Sequence, residues 1–197
     1  LQKEVFLIKN SAYILLAGSL WGIISIFVNL LKEAGFNSIQ CVAIRCFFTA
    51  LFLVCYIIIK DKSLLKIQPK DIVYFIGTGI LSIVFFNFCY FQSIEEIGGA
   101  AVPALLLYTA PLFVMIMSFF VFHEKLTRKK IISLLMTIVG LCLVTGAFTG
   151  EERISFTSVL YGLGSGIGYA LYTVFGKFVV KKYNALTITA YTFIIAT

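Results

Sequence analysis

The sequence predicts an all-α, polytopic transmembrane helix bundle. Of its 197 residues, 60% are hydrophobic and only 13% are charged, and a soluble domain of this size needs far more polar surface to cover its core. The apolar residues form runs of about 20 residues, which is the length of a helix that crosses a bilayer. The basic residues lie in the short segments between those runs, so the net charge of +7 indicates membrane topology and not nucleic acid binding.

The apolar runs predict six complete membrane spans and the beginning of a seventh. The six spans are expected near residues 11–31, 39–59, 72–94, 100–122, 131–149 and 157–180. The seventh begins near residue 185 and stops at Thr197, and these 13 residues reach only about two-thirds of the way across a bilayer. We therefore expect a fragment of a longer protein, truncated after about six and a half spans.

The positions of lysine and arginine predict which side of the membrane each loop occupies. Thirteen of the 16 basic residues fall on the side of the N-terminus: Lys3, Lys9, Lys60, Lys62, Lys66, Lys70, Lys125, Arg128, Lys129, Lys130, Lys177, Lys181 and Lys182. The opposite side holds only Lys32 and Arg153, beside several glutamates. Because cytoplasmic loops are rich in Lys and Arg, we expect a multi-pass protein of the cell (inner) membrane with a cytoplasmic N-terminus.

Two parts of the chain align as a weak internal repeat. Residues 14–29 align with 162–177 at a shift of 148 positions, and one residue of slippage later 37–43 align with 184–190. Apolar helices align easily by chance, but the loop charges support the repeat. The first span is expected to start inside and the sixth outside, as an inverted repeat of five spans requires.

The repeat predicts how the chain is organised. We expect residues 1–150 to hold a first five-span repeat and residues 151–197 to hold the start of a second. The complete protein would then have about ten spans. Inverted repeats of this kind are typical of secondary transporters, which bind their substrate at the repeat interface.

Seven residues inside the predicted spans are candidates for binding a substrate, because polar and bulky aromatic side chains in a membrane interior need a specific environment. They are Trp21, Arg45, Asn87, Tyr90, Tyr108, Tyr169 and Tyr172. Trp21 is either part of a cavity wall or core packing. Tyr169 and Tyr172 share a helix face, where a wet cavity or interhelical hydrogen bonds would satisfy their hydroxyls. Arg45 is either functional, as an anion or carboxylate contact or a latch to another helix, or a structural hydrogen-bond hub.

Pro111 predicts a kink in the fourth span. It has no N–H for the carbonyl near residue 107, and its ring disturbs the preceding turn. Breaks of this kind mark gates or binding sites in some transporters. Others are simple bends, and the sequence leaves both interpretations open.

The sequence offers no recognisable set of catalytic or metal-binding residues. None of the nine acidic residues lies in the middle of a predicted span, and the five cysteines have neither CxxC nor metal-ligand spacing. His123 and Glu124 resemble the start of HExxH, but Thr127 stands where the second histidine would be. We therefore expect no catalytic residue, no metal, no cofactor and no enzymatic activity.

Several short motifs, in this order and spacing, resemble the EamA type of the drug/metabolite transporter superfamily. They are Leu20-Trp21-Gly22, Arg45, Gly99-Ala100-Ala101 followed by Tyr108-Thr109-Ala110-Pro111, His123-Glu124-Lys125-Leu126-Thr127 followed by Ser133 and Gly140, and Gly168-Tyr169-Ala170-Leu171-Tyr172-Thr173. The chain departs from the family pattern at Asn29, where members often carry a basic residue, and at Ser133, where they often carry glycine.

The resemblance implies a ten-span carrier that moves small metabolites, commonly amino acids, related compounds or drugs, by alternating access. It also implies a central cavity lined by the spans that carry Trp21, Asn87, Tyr90, Tyr108, Tyr169 and Tyr172, and it makes Glu124 a structural residue at a helix end. The expected partners are the lipid bilayer and a small-molecule substrate, with a homodimer left open and no nucleic acid. A membrane-embedded enzyme acting on lipid or peptide, or a non-transporting truncated remnant, are the alternatives.

Overall fold

The computed structural model describes residues 11–13, 15–16, 18–20, 23, 26–27, 30–98, 101–125, 127–144 and 155–197. These residues form helices and connecting turns, and no strand occurs among them. The chain divides into two compact units, Leu1–Cys41 and Val42–Thr197. Trp21 and the neighbouring polar positions Ser25 and Asn29 lie outside the described residues.

In the first unit, a helix ends and another begins within a few residues. Gly35 has a φ of +92°, and the N–H of Phe36 donates to the carbonyl of Leu31 at 3.1 Å, which is the glycine-terminated helix end of a Schellman motif. The next helix starts with a capping box. The Asn37 side chain accepts from the Gln40 N–H at 2.8 Å, and the Gln40 side chain accepts from the Asn37 N–H at 2.9 Å.

Helix α1 covers Ser38–Lys60 and is followed by two short 3-10 turns, Lys62–Leu65 and Pro69–Asp71. The chain then re-enters the bundle as one continuous helical segment, Pro69–Ile97, of 29 residues.

This segment changes its winding along its length. It consists of α2 (Ile72–Ile76), a π-helical stretch over Gly77–Val84, and α3 (Phe85–Ile97). Gly98, with a φ of +75°, ends α3 in the left-handed conformation that glycine adopts readily.

The fourth predicted span is broken at the position that Pro111 indicates. Helix α4 covers Ala101–Leu107 and α5 covers Ala110–Phe122, with a turn at Tyr108 and Thr109 between them. The Thr109 hydroxyl donates to the Leu106 carbonyl at 2.6 Å, which satisfies one acceptor that the interrupted helix leaves free. The predicted kink is therefore confirmed.

Three further helices complete the described fold. They are α6 (Arg128–Val144), α7 (Phe156–Val179) and α8 (Ala185–Ala196). The Ser155 side chain caps α7 by accepting from the Ser158 N–H at 3.1 Å. The Asn184 side chain caps α8 by accepting from the Leu186 N–H at 3.0 Å.

Within the described residues, three helical segments are long and apolar enough to cross a membrane: Ser38–Lys60, Pro69–Ile97 and Val102–Phe122. They coincide with the second, third and fourth predicted spans. Helix α7 has 24 residues but is not among them. It carries five glycines together with serines, threonines and tyrosines, which lower its mean hydropathy.

The small residues of α7 allow the segment Pro69–Ile97 and the turn between α4 and α5 to approach it closely. A Cβ added to Gly168 would lie 2.9 Å from backbone atoms of Phe86, and one added to Gly166 would lie 2.7 Å from the Thr109 hydroxyl oxygen. Close backbone approach at glycine is the usual way in which membrane helices gain van der Waals contact. Helix α7 therefore forms the centre of this unit.

A hydrogen-bonded clamp fixes the loop before α2 to the junction of α7 and α8. The carboxylate of Asp71, whose side chain is only 2% exposed, accepts from Lys182 Nζ at 2.9 Å and from the Tyr183 hydroxyl at 2.7 Å. The hydroxyls of Thr187 and Tyr191 donate to loop carbonyls, each at 2.7 Å. The hydrogen bond with Asp71 raises the pKa of Lys182 above its ordinary value.

Candidate functional site

A cavity of about 550 Å³ lies between α5, α6 and α7. Helix α5 contributes Ala110, Pro111, Leu112, Val114, Met115 and Ser118. Helix α6 contributes Lys129, Lys130, Ser133, Leu134 and Thr137. Helix α7 contributes Tyr169 and Thr173, and Glu124 adds a carboxylate from the α5–α6 connection.

The cavity has an apolar body and one charged end. Its body is lined mostly by aliphatic side chains of α5, with the hydroxyls of Ser118, Ser133, Thr137 and Thr173 between them. Its charged end is formed where α5 ends and α6 begins. This division of apolar walls and a few polar groups is typical of small-molecule sites.

The charged end is organised around Glu124. Its carboxylate accepts hydrogen bonds from Lys130 Nζ at 3.1 Å and from Lys177 Nζ. The Lys177 ammonium also lies over the Phe122 ring, 4.1 Å from its centroid. The hydrogen bonds from Lys177 and then Lys130 lower the pKa of Glu124 below its usual range. These contacts join the α5–α6 connection to the end of α7.

Lys129 is the remaining cation of the cavity wall. It lies next to Lys130 and is exposed, and it makes no ion pair or hydrogen bond with the part of the chain that the structure describes. One carboxylate, Glu124, pairs with Lys130 and Lys177, and Lys129 adds a third cation to this end of the cavity. The charged end of the cavity has an excess of positive charge.

Of the sequence candidates that the structure describes, Tyr169 lines the cavity. Its ring packs edge-on against Phe86, with 6.0 Å between the ring centroids, and Phe86 stacks on Tyr90 at 5.8 Å. Phe86 thus connects two of the predicted site residues. Tyr169 is 37% exposed, and it forms part of the cavity wall.

Arg45 and Asn87 form a pair away from the cavity wall. Arg45 Nη2 donates to the Asn87 side-chain oxygen at 2.7 Å, and Asn87 Nδ2 donates to the Ile83 carbonyl at 2.6 Å. Asn87 is 2% exposed. Arg45 thus takes part in a hydrogen-bond hub between α1 and α3, and its role as an anion contact stays a prediction.

The other two described candidates lie apart from the cavity. Tyr108 is 66% exposed at the break between α4 and α5. Tyr172 is half-buried one turn after Tyr169, and its hydroxyl interacts with the Thr189 side chain. The structure therefore brings Tyr90 and Tyr169 together through Phe86, pairs Arg45 with Asn87, and leaves Tyr108 and Tyr172 outside the cavity.

The charged residues of the site were not recognisable from the sequence. The positions of Lys129, Lys130 and Lys177 indicated topology, and Glu124 resembled a residue at a helix end. One signal was available in the spacing of Tyr169, Thr173 and Lys177, which recur every four residues and share one helix face. Among the described residues, no group of three or more His, Cys, Asp or Glu side chains is arranged to hold a metal ion.

Comparison with known proteins places the chain among transporters. Residues 9–146 match the model of the EamA-like transporter family. Two uncharacterized transporters of Archaeoglobus fulgidus are 26% identical over 187 residues and 28% identical over 186 residues, and each match covers 92% of this chain. The uncharacterized transporter YetK of Bacillus subtilis is 23% identical over 152 residues, 75% of this chain.

The matched regions cover only part of each relative. They amount to 62% and 61% of the Archaeoglobus fulgidus proteins and 46% of YetK, so the chain spans about half to three-fifths of their length. No solved structure matches the chain. The family match extends over more than half of the sequence and agrees with the long apolar helices of the fold. The chain is a multi-pass membrane protein that belongs to the EamA-like transporter family.

Proposed function

We propose that the protein is a secondary transporter that moves small metabolites, such as amino acids, related compounds or drugs, across the cytoplasmic membrane by alternating access. The observation that carries the proposal is the 550 Å³ cavity between α5, α6 and α7, in a chain of a transporter family. A cavity of this volume falls in the range of small-molecule sites. We also propose that the protein is not an enzyme. A homodimer stays a prediction.

The broken helix α4–α5 supports this use of the cavity. Ala110 and Pro111, which follow the break, both line the cavity wall. Discontinuous helices expose backbone groups that would otherwise be bonded within the helix, and transporters use such groups at substrate sites near the middle of the membrane. The break thus lies directly before the part of α5 that a substrate in this cavity would contact.

Helix capping supports the proposed inverted repeat. Asn37 caps α1 and Asn184 caps α8, and these two asparagines occupy equivalent positions in the aligned segments of the sequence. An asparagine therefore starts the helix in each of the two aligned segments. On this basis we propose that residues 1–150 form one five-span repeat and residues 151–197 begin the second.

Ion pairing supports the proposed topology. Contacts between Glu124 and Lys177 and between Asp71 and Lys182 gather the loop before α2, the α5–α6 connection and the α7–α8 junction at one end of the bundle. These are the three loops in which the basic residues are concentrated. We propose that this end, and with it the N-terminus, is cytoplasmic.

Filling the cavity tests the proposed function. We expect Thr173→Trp, at a cavity-lining position, to reduce uptake or efflux at least about tenfold, since a bulky ring would occupy the substrate volume. The matched control is Leu160→Trp, because Leu160 is 51% exposed on the same helix and does not line the cavity. The measurement is transport of a radiolabelled amino-acid and drug panel by the protein at its full natural length in proteoliposomes. Equal transport by both variants would contradict the proposal.

A further inference from the structure

The charged end of the cavity holds more positive than negative side chains. Packing of the helices against lipid does not require this excess. Lys129 and Lys130 both line the cavity, and Lys177 reaches Glu124 from α7. Glu124 is the single carboxylate among them, and it is shared by Lys130 and Lys177. Lys129 therefore lines the cavity as an exposed cation without a counter-ion in the described part of the chain.

The remainder of the cavity wall is suited to an apolar group. Leu112, Val114, Met115 and Leu134 form most of it, and the nearby hydroxyls are neutral. An occupant that satisfies both parts would have an apolar body and a negative group at one end. A cation would be repelled by the excess of ammonium groups, and a neutral compound would leave Lys129 unpaired.

We propose that this cavity binds small amphipathic anions, that Lys129 and Lys130 hold the anionic group, and that Glu124 is its built-in competitor. The inference rests on the proposed function, since it names the substrate class of the same cavity. In the empty cavity, the Glu124 carboxylate occupies Lys130 and Lys177. An entering carboxylate or phosphate competes for Lys130 and weakens the contact that joins the α5–α6 connection to α7. Substrate binding and release of this ionic contact are therefore coupled.

Lysines near the end of a membrane helix also set topology, and that role must be separated from binding. Lys125 provides the comparison. It belongs to the same basic connection and is exposed, but it does not line the cavity. Neutralising Lys125 removes one positive charge from the same loop, where K129Q/K130Q removes two, so a general effect of loop charge will appear in this variant at about half the size.

The test measures binding of three probes with one skeleton and different charges. They are N-acetyl-phenylalanine, N-acetyl-phenylalaninamide and phenylalaninamide, which are anionic, neutral and cationic at about pH 6. Equilibrium dialysis of the full-length protein in detergent gives each affinity, and Thr173→Trp corrects for probe dissolved in micelles. We expect the anion to bind at least about fivefold more tightly than the other two, which is the scale of one partly exposed ion pair.

Three variants decide between binding and structural roles. The double variant K129Q/K130Q should weaken binding of the anion about tenfold and leave the neutral probe unchanged. E124Q should strengthen binding of the anion a few fold, because the competitor is removed. K125Q should change none of the affinities. Equal binding of the three probes, or an E124Q variant that binds all three more weakly, would overturn the inference.

The same experiments separate this inference from the proposed function. Charge-selective binding without transport of any compound in the panel would contradict the function and leave the binding site standing. Transport that K129Q/K130Q and K125Q reduce to the same extent would overturn the inference and leave the function standing.

Discussion

Asn87 holds a guanidinium group inside the helix bundle. Its side-chain oxygen accepts a hydrogen bond from Arg45 at 2.7 Å, and its side-chain N–H donates one to the Ile83 carbonyl. A buried guanidinium that loses its partner keeps its charge, because the pKa of arginine is too high for deprotonation, and the cost of its burial then falls on the folded state. The contact matters for stability even though it lies away from the cavity.

We expect Asn87→Ala to lower the free energy of unfolding by about 2–4 kcal/mol. The double variant Arg45→Met/Asn87→Leu should be more stable than Asn87→Ala, because it removes the charge together with its partner. Unfolding in detergent, followed by circular dichroism, measures both. Phe88→Ala, at a neighbouring exposed position, is the control, and an equal loss in Asn87→Ala and Phe88→Ala would count against the hub.

The pKa of Glu124 predicts how stability responds to acid. Its folded-state pKa lies below the ordinary value of 4.5 because Lys177 and Lys130 hydrogen-bond the charged carboxylate. The stabilisation is therefore complete above pH 4.5 and is lost as the pH falls through the lower folded-state value. We expect the thermal midpoint of the wild type to fall more steeply below pH 4.5 than that of E124Q. Parallel pH profiles would show that Glu124 contributes nothing through its charge.

The sequence identified some of these residues and misjudged others for a physical reason. Arg45 and Asn87 were recognisable because a polar group inside an apolar run needs a partner. Lys129 and Lys130 were not, because lysines beside a membrane helix serve topology whether or not a cavity opens beside them. A cavity opens beside these lysines only if particular helices pack next to α5. That packing depends on contacts between residues distant in sequence.

At the scale of elements, α7 depends on glycines at specific positions. Gly168 faces backbone atoms of Phe86 at a distance where a Cβ does not fit, whereas a Cβ on Gly176 would meet nothing within 4 Å. Backbone atoms of a packed helix cannot move aside as a flexible side chain can. Position 168 therefore requires glycine, whereas position 176 of the same helix has room for a larger residue.

This difference gives a matched pair of variants. We expect Gly168→Ala to destabilise the protein by about 1–3 kcal/mol through steric overlap with Phe86. Gly176→Ala should be neutral or stabilise it by up to about 1 kcal/mol, since alanine favours the helix. Unfolding of the two variants side by side in detergent tests the packing. A loss of stability in Gly176→Ala as large as that in Gly168→Ala would contradict it.

Long apolar helices and the Pro111 break were predictable, because run length and a missing N–H are local properties of the chain. The π-helical stretch Gly77–Val84 was not. All of its residues are apolar or small, so a change in helical period leaves no mark in the pattern. The π-helical stretch is accompanied by a tertiary contact. The Thr78 and Thr192 hydroxyls, 114 positions apart in the chain, share a hydrogen bond of 2.7 Å.

At the scale of the whole molecule, the long helices and the family match agree on a membrane transporter. The chain covers about half to three-fifths of its relatives' length, so the substrate path of the whole protein stays a proposal. The charge pattern was more informative about the whole molecule than the identity of single residues. It predicted that three basic loops lie on one side of the membrane, and hydrogen bonds join these loops at one end of the bundle.

The clamp at Asp71 has a consequence for biogenesis. Its partner Tyr183 lies 112 positions later in the chain, so a ribosome adding about 5–20 residues per second takes roughly 6–22 seconds to supply it. During that interval the Asp71 carboxylate lacks its partners Tyr183 and Lys182. The loop carbonyls likewise lack the hydrogen bonds from Thr187 and Tyr191. Synthesis of the α7–α8 junction then closes the loop. Insertion of the early helices and maturation of their loop are thus separate events in the life of this protein.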